Sequence, residues 1–280
     1  MKTALLISTY NWPQALKLCL DSLVSQTVYP DEVLIADDGS RPDTGELIRE
    51  FQNRFSRPVK HIWHEDEGFR LSGIRNKALL ECRADYVIQV DGDVIMERHF
   101  IEDHIRFAQK NSVVVGSRAS LGEDYTAGLL ATGKLPSKRE LDRNSSNFLN
   151  SRRIPWLTPM LSYYHTSGKN QYYAKGCNMA FWLEDMLAVN GYDESFVGWG
   201  REDSDLVVRL LAKGCFLRRI KMSAVQYHIY HKENDRYNEE TNDLLMKKRI
   251  EEGSYFADNG ILKSGDILSE LLVVMSATAL

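Results

Sequence analysis

No C-x-x-C pair occurs in this chain, whose four cysteines, Cys19, Cys82, Cys177 and Cys215, lie far apart. That spacing excludes a zinc ribbon and offers no disulfide framework; it predicts reduced, mostly buried thiols of a cytosolic protein. Long apolar runs are missing too, since nothing in the sequence approaches the roughly 20 residues of a membrane span. Residues 1–8 reach polar side chains too soon for a signal peptide. An excess of either charge is also absent, with 35 Lys plus Arg against 39 Asp plus Glu and a net charge of −4. Nucleic acid is therefore excluded as the expected partner. Internal repeats and low-complexity segments do not occur. The expectation is a soluble, cytoplasmic chain. Its apolar tail, residues 267–275, reads as a docking helix that closes a core, with peripheral contact to the inner face of a membrane as the other use of such a segment.

What is present is ample apolar content, 43% of 280 residues, for one large domain or two tightly packed lobes. Short apolar runs alternate with helical patterns from the start, as a βαβ arrangement requires. Strands are expected over 4–8, 32–36, 59–63, 86–90 and 113–116. Between the first two, Leu16, Leu20, Leu23 and Val24 recur at helical spacing behind Pro13, a good first-turn residue. Leu71, Ile74, Ala78 and Leu79 repeat the pattern before the fourth strand. Residues 1–117 therefore read as a nucleotide-binding half with a mostly parallel sheet, and residues 118–280 as a second half. Over 118–175 the periodicity dissolves among Trp156, Tyr163, Tyr164, Tyr172 and Tyr173, which predicts a long loop acting as a lid. Order resumes at Gly176, with an apolar stretch over 179–182 and a helix over 202–213.

The chemistry concentrates at strand ends. Asp91-Gly92-Asp93 directly follows the apolar run 86–90, so two carboxylates stand where a buried strand emerges, the edge at which open α/β sheets bind ligands. A turn explains an isolated Asp-Gly-Asp. It does not explain why Ser8-Thr9-Tyr10-Asn11 and Asp37-Asp38-Gly39-Ser40 close two other strands on the same edge. Hard oxygen ligands suit Mg²⁺ or Mn²⁺ carrying a phosphate. Thr9, Tyr10 and Asp38 are placed to hold a base and ribose. Arg75 and Asn76 lie on the helix before the fourth strand, and an arginine fork matches phosphate. Further on, Gly198-Trp199-Gly200 precedes the acids Glu202, Asp203 and Asp205. The helix dipole accounts for acids in a first turn, but not for the glycines around an aromatic of the kind sugars stack on. His228 and His231, at i and i+3, add metal ligands.

Taken in order, these motifs resemble the family 2 inverting glycosyltransferases of the GT-A fold, over roughly residues 3 to 240. The later half is similar to β-1,4-galactosyltransferases and chondroitin-polymerase-type enzymes. The resemblance implies an α/β fold with a Rossmann-like nucleotide-binding sheet and an acceptor-binding second half. It further implies UDP-sugar binding by Thr9, Asp38, Arg75 and Asp91, metal binding by Asp93 with help from Asp91, and Asp203 as base with Glu202 beside it. Matching Ile229-Tyr230-His231 and the following Asp235 and Asn238 to the family's Ile-Arg-His segment selects His231 as the second metal ligand. One departure is visible: those galactosyltransferases carry Gly-Gly-Glu-Asp where this chain has Gly200-Arg201-Glu202-Asp203.

The expected activity is transfer of galactose, GalNAc, GlcNAc or a similar sugar from a UDP-sugar to a glycan or lipid-linked glycan in surface polysaccharide biosynthesis. Two other classes share parts of the pattern. A sugar-phosphate nucleotidyltransferase has the sheet and the acidic metal site, but the Gly-rich basic phosphate loop it needs after the first strand is replaced here by Ser8-Thr9-Tyr10-Asn11-Trp12-Pro13. A non-catalytic glycan-binding module uses aromatics such as Trp199, yet has no use for two acids at a strand end.

Overall fold

The computed structural model describes residues 1–165, 172, 174–198, 200–232 and 238–263. Its strands are β1 (Thr3–Thr9), β2 (Glu32–Asp37), β3 (Val59–Trp63), β4 (Tyr86–Asp91), β5 (Val94–Met96) and β6 (Ser112–Val115), followed by β7 (Ser117–Leu121), β8 (Ser145–Ser146), β9 (Asn178–Trp182), β10 (Phe216–Arg219) and β11 (Val225–His228). Seven of them form a sheet in the order β10-β6-β9-β4-β1-β2-β3, and the other four form a sheet in the order β5-β11-β7-β8. In the larger sheet β9 runs antiparallel to both neighbours while every other pair is parallel. This is the mostly parallel α/β architecture that the alternating pattern predicts.

Burial on both faces makes β1 and β4 continuous apolar runs. Leu5 and Ile7 face one way, onto Leu16, Leu20 and Leu23 of the helix Pro13–Val24. Ala4 and Leu6 face the other way, with Ile74, Ala78 and Leu79 of the helix Leu71–Leu80. Pro13 and Pro42 each open a helix at a position whose N–H would have no partner in the helix. The parallel register sets Ser8 opposite Asp91 and Thr9 opposite Asp37, so the carboxyl ends of three strands finish level.

The long loop expected over 118–175 is corrected among its described residues. β7 pairs with β11 and β8, and the helices Glu123–Thr132, Lys138–Arg143, Phe148–Ser151 and Thr158–His165 occupy most of the remainder. These helices are too short and too thinly apolar to leave a sequence period: Thr126 and Leu129 are the buried side chains of the first, and Leu141 that of the second. A reciprocal Ser137–Glu140 capping box starts the second. The larger sheet also draws β9 and β10 from beyond residue 117, so its strands come from both expected halves. Cys19, Cys177 and Cys215 are buried and Cys82 is half-buried, all as free thiols. No helix among the described residues is long and apolar enough to cross a membrane. The apolar tail, Trp199, Tyr173 and Asp235 lie outside the described residues.

Candidate active site

Arg75 organises the centre of the site. It is 1% exposed, and its guanidinium divides among three strand or helix ends: Nε donates to Ser8 Oγ at 3.0 Å, Nη2 to Asp91 Oδ1 at 2.9 Å and Nη1 to Asp203 Oδ1 at 3.0 Å. Its charged face also lies over the Tyr192 ring, 5.2 Å from the centroid. A buried cation shared by two carboxylates fixes the spacing of Asp91 and Asp203. Asp91 Oδ1 is thereby bound to Arg75, and Asp91 is not among the three residues gathered as a metal group around Asp93. Burial nonetheless lifts the Asp91 carboxyl to about 6, against the pull of Arg75.

Asp203 gains a second anchor, because the Gly176 amide donates to its Oδ2 at 2.6 Å. Gly176 is glycine of necessity, since a Cβ there would run into the Asp203 carboxylate. The Gly176 carbonyl is held from below by Gln89 Nε2 at 3.0 Å. Each Asp203 oxygen keeps further acceptor capacity. Asp205, two residues on, points elsewhere: its carboxylate meets Arg209 Nε at 2.7 Å and Arg249 Nε at 3.3 Å, tying the helix Glu239–Glu252 to the core. Arg201, where the galactosyltransferases have glycine, adopts φ +77°, a left-handed conformation in which a side chain costs roughly 1–2 kcal/mol. An ion pair with Asp243 holds it there.

Glu202 is buried and its Oε2 has no hydrogen-bond partner. Burial lifts its carboxyl to about 8, and the adjacent Asp203 charge adds to the shift. Because this folded value exceeds the ordinary 4.5, the native state holds the proton more tightly. The stability that Glu202 contributes is complete below 4.5 and is lost as pH rises to about 8. Glu202→Gln cannot ionise, so it should flatten that loss and raise stability at pH 8 relative to wild type by on the order of 4 kcal/mol. Urea midpoints at pH 5 and pH 8 measure this; an unchanged pH dependence in the variant contradicts it.

A second group forms where the small sheet meets the large one. Asp93 lies just before β5, and β5 pairs antiparallel with β11 so that Val94 stands opposite His228. The Ile229 amide donates to the Asp93 carbonyl at 2.9 Å, bringing His231 round as well. His228 Nε2 lies 3.3 Å and His231 Nε2 3.2 Å from Asp93 Oδ2. The three ligand atoms fall within 4.8 Å of one another, a spacing that can hold a metal ion. The donor set fits one: Asp93 Oδ1 is buried without a partner, and burial pushes His228 down to about 4, leaving it neutral with a lone pair to give. His231 Nδ1 faces the Lys232 carbonyl at 2.7 Å, which orients Nε2 inward. Its hydrogen bond with Asp93 shifts His231 upward, and the edge of the Trp12 ring packs against it. His228, which the sequence motif set aside in favour of His231, is thus a full member of the group.

Asp38 closes the third corner. Its Oδ1 lies 2.7 Å from His64 Nε2, and its Oδ2 accepts from the Arg70 amide at 3.0 Å. Lys77 Nζ, 3.3 Å from His64 Nδ1, completes a relay that the sequence reading missed; His64 directly after β3 was its only signal. Burial raises the Asp38 carboxyl despite His64. The Asp38 amide donates to the Thr9 carbonyl at 3.0 Å, and the half-exposed Tyr10 hydroxyl donates to Asp66 at 2.9 Å. Asn76 does not join them. Its side chain is spent on both main-chain groups of Tyr192, at 2.8 and 2.9 Å, and on Glu194 at 3.0 Å.

Comparison with known proteins identifies the family and the fold. The Glycosyl transferase family 2 model matches residues 4–175, and the model described as N-terminal domain of galactosyltransferase matches residues 159–232. Chondroitin synthase of Escherichia coli is 25% identical over 248 residues, covering 80% of this chain and 34% of that protein. Chondroitin synthase of Pasteurella multocida is 27% identical over 259 residues, covering 87% of this chain and 26% of that protein. The chain thus spans about a third or less of the length of these relatives. Among solved structures, residues 1-349 of S. aureus TarS align with a TM-score of 0.61 at 15% identity, over 90% of this chain and 65% of that one. Mannosyltransferase PcManGT from Pyrobaculum calidifontis, solved with GDP-Man and Mn²⁺, gives 0.56 at 17% identity over 83% of this chain and 58% of that one. These likenesses establish the GT-A fold.

Proposed function

The chain belongs to glycosyl transferase family 2, and from that membership we propose that it transfers a sugar, with inversion, from a UDP-sugar to a hydroxyl of a glycan acceptor in polysaccharide synthesis. The observation that carries the reading is the meeting, at one sheet edge, of the Asp93–His228–His231 group with the Arg75-bridged pair Asp91 and Asp203. TarS is described in complex with UDP and with UDP-GlcNAc, which supports the same donor class here. Galactose, GalNAc and GlcNAc are the sugars to try first. Residues 1–117 supply most of the donor side, joined at the metal by His228 and His231, and the rest of residues 118–280 the acceptor side.

Asp93, His228 and His231 would hold the metal, which when bound neutralises charge gathering on the UDP leaving group. Thr9, Tyr10 and Asp38 bind base and ribose, and Trp199 stacks on the sugar. Asp91 and Arg75 fix the floor of the donor site. Asp203, held on two sides, takes the proton of the acceptor hydroxyl as that oxygen attacks the anomeric carbon from the face opposite UDP. Protonated near neutrality, Glu202 donates a hydrogen bond to a sugar hydroxyl.

Two imidazoles make the ligand set softer than the all-oxygen cage Mg²⁺ prefers. Mn²⁺ is therefore expected to support turnover roughly tenfold better than Mg²⁺ at equal concentration. Equal rates with the two ions in a direct comparison contradict this. The reaction itself is tested by incubating the protein with UDP-sugars, Mn²⁺ and oligosaccharide acceptors and identifying the phosphate product. Free UDP supports the proposal. Pyrophosphate would point to nucleotidyl transfer, and neither product, with sugar binding intact, to a glycan-binding module.

A further inference from the structure

Ser120, which stands opposite His228 in the small sheet, lines a cavity of about 360 Å³, a size that admits one sugar residue. Arg118, Lys175, Arg219 and Lys221 line it together with carboxamides such as Asn150, and no described lining residue is Asp or Glu. Among the described residues neither Arg118 nor Lys221 has a salt-bridge partner, and in a chain of net charge −4 two cations so placed on one space call for an anion. The Lys221 ammonium is bonded to the neutral Asn150 Oδ1, and burial pushes it below its ordinary range. Arg118 Nε is buried without a hydrogen-bond partner.

An independent observation lies beside Arg118. Gln226 is 0% exposed, and both its amide oxygen and its amide nitrogen lack partners. Register pairs Gln226 with Arg118 and His228 with Ser120, so these four side chains share one face of the small sheet. The unmet groups of Gln226 and Arg118 thus lie opposite each other on the sheet face that also carries the metal-binding His228.

Its position selects acceptor over donor. Lys175 is joined directly to Gly176, whose amide holds Asp203, the group that must meet the acceptor hydroxyl. The donor anchors Thr9 and Asp38 stand instead at the ends of β1 and β2, across β4 from this cavity. We propose that the cavity is an anion subsite for the acceptor, taking a carboxylate or phosphate carried by the glycan next to the reacting hydroxyl. The proposal rests on the glycosyltransferase reading above.

Three probes that differ only at C6 test it by ligand-observed NMR on the full chain in chelator: methyl glucuronide, methyl glucoside 6-phosphate and methyl glucoside. At least one anionic probe should bind roughly tenfold tighter than the neutral one, as charge-assisted hydrogen bonds require. The tighter of the two tells a uronic acid from a phosphate-bearing acceptor. Lys221→Gln and Arg118→Gln, each checked by its urea midpoint, should abolish the preference while affinity for UDP with Mn²⁺ stays within about twofold. Equal binding of all three probes overturns the subsite. So does an equal loss of UDP affinity in the variants, which would give the cations to the donor diphosphate. Turnover of UDP-sugars by the wild type is scored in parallel: turnover without anion preference sinks the subsite alone, whereas no turnover with any UDP-sugar sinks the reading beneath it.

Discussion

Asp203→Asn is expected to bind UDP with Mn²⁺ almost normally yet transfer sugar roughly 10²–10⁴-fold more slowly. The asymmetry comes from where Asp203 sits. Its two oxygens are held by Arg75 and the Gly176 amide, contacts an asparagine oxygen can partly keep, so the local structure should survive. Arg75 retains Asp91 and Ser8. What the amide cannot do is accept a proton. No neighbour readily takes over, since Asp205 is committed to Arg209 and Arg249 and Glu202 is held protonated near neutrality by burial. Turnover and calorimetric UDP affinity measured on the same preparation decide the point. Near-wild-type turnover in the variant would move the base to Glu202.

Asp93→Ala should fail one step earlier, losing metal-dependent UDP binding by roughly 10²-fold or more. Without a cation, Asp91 and Asp93 would face the diphosphate with like charge. Asp93 is the only carboxylate in the three-residue group, and its Oδ1 is buried with nothing to bond. EDTA should therefore abolish transfer by the wild type and Mn²⁺ restore it. Transfer that persists in chelator, or an Asp93→Ala protein that binds UDP as the wild type does, contradicts the assignment.

Much of this site was legible because strand ends are marked locally. An apolar run that stops at Asp91-Gly92-Asp93 needs no partner strand to be noticed, and the same holds for the runs before Thr9 and Asp38. The pairing of β5 with β11 is different. It joins residues far apart in the chain, so nothing near His228 signals that Val94 lies opposite it, and a motif comparison alone favoured His231. Asn76 could have been set aside from sequence. Neighbouring residues on a helix diverge by about 100°, so the face that points Arg75 at Asp91 turns Asn76 away from it, toward Tyr192. The segment after residue 117 hid its order for another reason: its short helices bury one or two side chains each, too few to write a period. The cation-lined cavity gathers residues from β7, β10 and the turn after it, and no window of sequence contains them together.

The central claim is that Asp93, His228 and His231 together hold the metal that carries UDP. Pulsed electron paramagnetic resonance of Mn²⁺ bound with UDP reads the ligands directly. The account predicts nitrogen couplings from two imidazoles, one lost in His228→Ala and the other in His231→Ala, with both the couplings and the bound Mn²⁺ gone in Asp93→Ala. Mn²⁺ bound through oxygen alone, with a spectrum unchanged by either histidine substitution, would contradict it.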